Sequence, residues 1–70
     1  MGLPLATLGL NIRKQREVLD YSQEKLAEKA SLHPVYIGKI ERGEQWISLH
    51  ALLRVAAALR VRLSELVSDL

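Results

Sequence analysis

The residues able to do chemistry in this chain are chiefly ten Lys and Arg, eight Asp and Glu and two His, and the informative cations fall in one short segment. Stepping along a helix from Pro34 at about 100° per residue puts Tyr36, Ile37, Ile40 and Glu41 on one half, and Val35, Gly38, Lys39 and Arg42 on the other. The first half is suited to packing. The second is small and cationic, so the chemistry open to it is hydrogen bonding and charge attraction toward an anion or a polar edge. A helix with such a face fits a DNA major groove, roughly 12 Å wide, with Lys39 brought to base edges. A face that merely meets solvent is the alternative meaning of the same residues.

Catalysis finds no support. His33 and His50, the two histidines, fall on different elements, and no carboxylate, serine or glycine-rich arrangement converges with them. They read as caps or surface residues. No residues have metal-ligand spacing, and neither a cofactor nor a small-molecule ligand is implied. The chain has no cysteine, hence no disulfide, thiolate site or cysteine nucleophile, which fits a reducing compartment.

Two charged residues stand where apolar ones belong. Glu41 lies in the Ile37/Ile40 stripe, and Arg16 lies in a stripe with Leu8, Ile12 and Leu19. A carboxylate buried there must be paired or it is costly. The two are expected to pair with each other, tying the first helix to the end of the third, which leaves neither free for a ligand. Phosphate contacts are expected where helix N-termini and loop amides point outward. Gln23 fits one such place, and the loop of Glu44, Gln45 and Trp46 with Ser48 fits a second. Trp46 has another possible use, packing on the core or on a partner chain.

The elements that must hold these residues can be read in order. Leu5, Leu8, Ile12 and Leu19 recur at helical spacing, predicting a first helix from Pro4 to Asp20, with Gly9 its one weak point. Ser22 reads as the cap of a second helix, Gln23 to Ala30, buried through Leu26, Ala27 and Ala30. After Ser31 and Leu32, His33 caps a third helix with Pro34 at its first position, running to Arg42, with Gly43 supplying a left-handed end. Gly43 to Ile47 reads as a loop. Ser48 then caps a nearly all-apolar fourth helix through Leu59, which belongs at the centre of the core. A last helix is expected from Glu65 to Leu70, capped by Ser64, and no strand pattern occurs.

Seventy residues allow one domain, 1–70, with one small core. The stretch Met1 to Leu10 lacks a basic start and a membrane-spanning length, and Ala6 stands where a myristoylation signal needs Ser or Thr. The chain is therefore expected to be cytoplasmic with no membrane role. Net charge is only +2, but its distribution is informative. All ten Lys and Arg lie between Arg13 and Arg62, while the last eight residues carry Glu65 and Asp69 and no base. One end is thus suited to phosphate and the other to a partner chain.

The segments Ser22-Gln23-Glu24-Lys25-Leu26-Ala27 and Val35-Tyr36-Ile37-Gly38-Lys39-Ile40-Glu41-Arg42-Gly43, with Ser48-Leu49 opening the fourth helix, resemble the Xre/Cro family of helix-turn-helix proteins over about residues 8 to 68. The small size is similar to restriction–modification controller proteins and short phage-type repressors. The resemblance implies an all-α, compact five-helix, lambda-repressor-like domain whose helix-turn-helix proper spans about 22–43. It implies a homodimeric transcriptional regulator on a pseudo-palindromic operator in double-stranded DNA, with the third helix as reader. Base contacts then fall on His33, Pro34, Val35 and Lys39, with Arg42 on the same face. Phosphate contacts fall on Gln23, Tyr36, Gln45, Trp46 and Ser48.

Departures from the family pattern carry their own expectations. Ser31 replaces a frequent Gly, so the turn either avoids positive φ or accepts strain there. Arg60 replaces a helix-ending Gly and puts a cation near the carbonyl end of the fourth helix. Gly38 and Trp46 replace a usual Ser and Asn. Because Pro34 and Val35 donate few hydrogen bonds, part of the specificity is expected from DNA shape. A C-terminal dimerisation helix at about 64–70 is expected, since Leu63, Leu66, Val67 and Leu70 exceed what so small a core needs. The competing reading is a protein-binding helical module, such as an antitoxin without direct DNA readout.

Overall fold

The computed structural model describes residues 4–68 and 70. The chain forms α1 (Leu5–Val18), α2 (Gln23–Ala30), α3 (Pro34–Glu41), α4 (Leu49–Leu59) and α5 (Leu63–Val67), and no strand occurs among the described residues. Three starts are fixed by side chains that accept otherwise orphaned amides. Ser22 Oγ accepts from Lys25 N–H at 3.0 Å, His33 Nδ1 from Val35 N–H at 3.1 Å, and Ser48 Oγ from Ala51 N–H at 3.1 Å.

The helix ends share one device. Asp20, Ser31, Gly43 and Arg60 all take left-handed backbone, with φ of 59°, 58°, 73° and 60°. At each, the next residue donates its amide back five positions: Tyr21 to Arg16 O, Leu32 to Ala27 O, Glu44 to Lys39 O and Val61 to Ala56 O, all within 2.9–3.1 Å. These are Schellman ends, which satisfy carbonyls the helix leaves free. Ser31 therefore accepts a positive φ rather than avoiding it. The device also explains two shortened helices. α1 stops at Val18, ahead of left-handed Asp20, and α3 stops at Glu41, with Arg42 as its cap before Gly43.

The C-terminal helix departs furthest from expectation. It opens at Leu63, and its cap is Arg62 rather than Ser64. Arg62 is extended at φ −79° and ψ 149°, and its backbone N–H donates to Glu65 Oε2 at 2.7 Å. Ser64 thus falls inside the first turn. The helix ends at Val67, and Asp69 lies outside the described residues, as do Met1 and Gly2.

One core unites Leu8, Ile12, Leu26, Ala27, Ala30, Ile37, Ile40, Leu52, Val55, Leu59 and Leu66. α4 supplies its centre and packs on α1, α2 and α5. Ile47, which reads as loop, is buried in this core as well. Leu66 is completely buried, which corrects its assignment to a dimer interface: its side chain closes the domain's own core. Leu63 and Val67 are partly buried against the same cluster, and only Leu70 of that set stands well exposed. The Asn11 amide donates to Leu66 O at 2.9 Å and fastens α5 to α1.

α1 also backs α3 directly. A Cβ placed on Gly9 would fall against Ile40 O and within 2.6 Å of Glu41 O, so α3 lies on bare backbone at that point. The glycine that weakens α1 as an isolated helix is what lets α3 approach it.

Candidate nucleic-acid interface

α3 buries Ile37 and Ile40 and turns Val35, Lys39 and Arg42 outward. Val35 is 57% exposed, an unusual position for a branched apolar residue on a charged face. It forms a ridge between two shallow clefts. One, of about 360 Å³, is lined by His33, Val35, Tyr36, Lys39 and Gln45. The other, of about 260 Å³, is lined by Gln23, Glu24, Pro34, Val35, Gly38 and Arg42. The start of α2, the start of α3 and the loop after Gly43 thus present their polar groups around one ridge. Trp46 is half exposed, and neither it nor Ser48 lines either cleft.

Beneath this surface lies a polar network. Arg16 Nε donates to Glu41 Oε2 at 2.7 Å, and Arg16 Nη2 donates to Glu41 Oε1 at 3.0 Å. Arg16 Nη1 donates to Tyr21 O at 2.7 Å, and Gln23 Nε2 to Glu41 Oε1 at 3.1 Å. The two charged side chains retain only 12% and 3% of their exposure. The hydrogen bond to Glu41 raises Arg16 above its ordinary pKa, outweighing the opposing effect of desolvation. Three helices are joined here by one carboxylate.

Several surface groups are already occupied. Ser48 Oγ and His33 Nδ1 serve as caps, so the hydroxyl oxygen and one ring nitrogen are spoken for. Gln23 gives one amide N–H to Glu41, and its carbonyl oxygen lies over Gly38 beside the cleft. Gly38 itself is buried, because Gln23 and the Arg42 guanidinium close over it. Arg42 is held by Glu44 through Nε to Oε2 at 2.8 Å and Nη2 to Oε1 at 3.3 Å. Sequence spacing did not mark that pair; its signal is the Arg-Gly-Glu run, where left-handed Gly43 folds the third residue back on the first.

Comparison with known proteins agrees with this arrangement. Residues 12–66 match the helix-turn-helix family. The chain is 39% identical over 61 residues to the control protein C.SmaI of Serratia marcescens, covering 87% of this chain and 73% of that protein. It is 40% identical over 63 residues to the control protein C.MunI of a Mycoplasma species, covering 89% and 85%. Its fold matches the crystal structure of the restriction–modification controller protein C.AhdI from Aeromonas hydrophila with a TM-score of 0.87 and 37% identity, covering 89% and 94%. The chain belongs to the helix-turn-helix family of DNA-binding regulators, in its Xre/Cro branch.

Proposed function

We propose that this chain is a homodimeric, sequence-specific regulator of transcription that works in the cytoplasm on a pseudo-palindromic operator, in the manner of a restriction–modification controller. The observation that carries this reading is the exposed Val35–Lys39–Arg42 face of α3, set between the start of α2 and the loop after Gly43 while Ile37 and Ile40 anchor its back. Lys39 is the residue placed to reach base edges, with His33 at the helix start. Val35 offers a methyl surface to thymine. Tyr36, Gln45 and the starts of α2 and α4 serve the backbone on either side. Helix-turn-helix regulators act by binding and carry out no turnover of their own.

Two copies are needed because one short helix reads only a few base pairs against a million or more competing sites. The partly exposed Leu63, Val67 and Leu70 at the C-terminal end support a partner there. The test is selection of sites from random duplex DNA, followed by titration at several salt concentrations. A two-fold symmetric site whose affinity falls steeply with salt is expected. Lys39→Glu should lower affinity by about 1–3 kcal/mol or more while far-UV circular dichroism and melting stay unchanged. An absence of any enriched, salt-dependent site would make the scaffold a protein-binding module instead.

A further inference from the structure

We infer that Glu44 is an intramolecular stand-in for DNA phosphate: it holds the guanidinium of Arg42 in the free protein and yields it when a duplex docks. The inference rests on the DNA-binding reading above and concerns how that surface is regulated. The geometry is specific. Glu44 uses both carboxylate oxygens on the Nε and Nη2 edge of Arg42, at 2.8 and 3.3 Å. That is one of the two edges through which a guanidinium grips two oxygens of a phosphate, so the two anions compete for this fork.

The fold builds this contact rather than leaving it to chance. Arg42 caps α3, Gly43 takes φ 73°, and the Glu44 amide is pinned to Lys39 O at 2.9 Å. The Glu44 side chain is therefore delivered two residues back onto its partner. The remaining Arg42 nitrogen, Nη1, lies over Gly38, 3.1 Å from where a Cβ would stand, and any larger residue would displace it. Both side chains keep more than half their exposure, at 56% and 53%. An exposed pair of this kind is weak enough to exchange against phosphate. The neighbours are consistent: the hydrogen bond from Arg42 lowers the Glu44 pKa from its ordinary value, and the charges of Arg42 and Lys39 add to that pull. The charged form of Glu44, which is the competitor, is thus the form its neighbours favour.

The experiment is a double-mutant cycle read by operator binding. Wild type, Glu44→Gln, Arg42→Gln and the double variant are titrated against a duplex selected as above, at several salt concentrations. Glu44→Gln should bind about three- to tenfold more tightly at roughly 0.1 M salt, from release of an exposed pair and removal of a charge facing phosphate. Its log affinity against log salt should steepen by up to about 0.9, one more phosphate contact without internal competition. In the Arg42→Gln background the same substitution should give clearly less, so the two effects are not additive.

An equal gain in both backgrounds would mean Glu44 acts only through overall charge, and would overturn the inference. Weaker binding by Glu44→Gln would also overturn it, showing that Glu44 holds Arg42 ready for DNA rather than away from it. No binding by wild type to any selected duplex removes the DNA-binding reading itself, a failure distinct from the other two. Unchanged circular dichroism and melting across the four proteins exclude misfolding as the cause.

Discussion

Glu41 is the side chain on which most depends. It neutralises Arg16, receives the Gln23 amide and sits almost wholly buried where three helices meet. Glu41→Gln keeps the shape but removes the charge that a buried guanidinium requires, and should lower stability by about 3–5 kcal/mol. Urea unfolding of the variant measures this directly, and a loss below about 1 kcal/mol would mean water reaches Arg16 well enough to replace the carboxylate. The sequence disclosed this pair because each member broke an apolar stripe. It did not disclose Arg42 with Glu44, since neither residue sits where a charge is out of place. Nor did it disclose that Gln23 hydrogen-bonds Glu41, because only the fold brings that carboxylate within reach of its amide.

At the level of elements, the links before α2, α3 and α5 end in one joint used three times, as Asp20-Tyr21-Ser22, Ser31-Leu32-His33 and Arg60-Val61-Arg62: a left-handed residue, an inward or half-buried one, then an extended cap. None contains glycine. Left-handed backbone costs an L-residue roughly 1–2 kcal/mol, partly offset because glycine is more disordered when unfolded. Arg60→Gly should therefore gain about 0.5–1 kcal/mol, raising the melting temperature by about 2–8 °C in a domain this small. A lowered melting temperature would show that the Arg60 side chain contributes more than its backbone costs. These joints also explain which helices were legible. α2 and α4 could be bounded from sequence because Ser caps stand ahead of clear apolar faces. α5 could not, because an arginine gives no side-chain signal of a cap and the nearby Ser64 suggested the wrong one. Ile47 was missed because a single apolar residue in a loop has no period to betray its burial.

At the scale of the whole molecule, one small core has to leave surface for the partner proposed above. Leu66 belongs wholly to the core, so Leu66→Ala should destabilise the protomer by about 2–5 kcal/mol rather than simply weaken association. Sedimentation at binding concentrations is expected to give twice the 7.9 kDa of one chain, with a melting temperature that rises with protein concentration. A monomer at concentrations that saturate the operator would remove the dimer from the proposal. The charge asymmetry was legible from the start, with bases confined to Arg13 through Arg62, and the fold places the exposed members of α3 on the face away from its buried anchors.

His33 carries one more consequence. Its Nδ1 accepts the Val35 amide to start α3, so the ring proton of a neutral imidazole sits on Nε2. The nitrogen that remains can give a hydrogen but not receive one, and the Lys39 ammonium in the same cleft is likewise a donor only. If the cleft meets a base edge as proposed, His33 and Lys39 ask there for acceptors, while Tyr36 and Gln45 in the same cleft are able to accept. Guanine, with N7 and O6 side by side in the major groove, meets that demand best. A half-site carrying 7-deazaguanine, which lacks one of those acceptors, is the base analogue to which this small protein should be most sensitive.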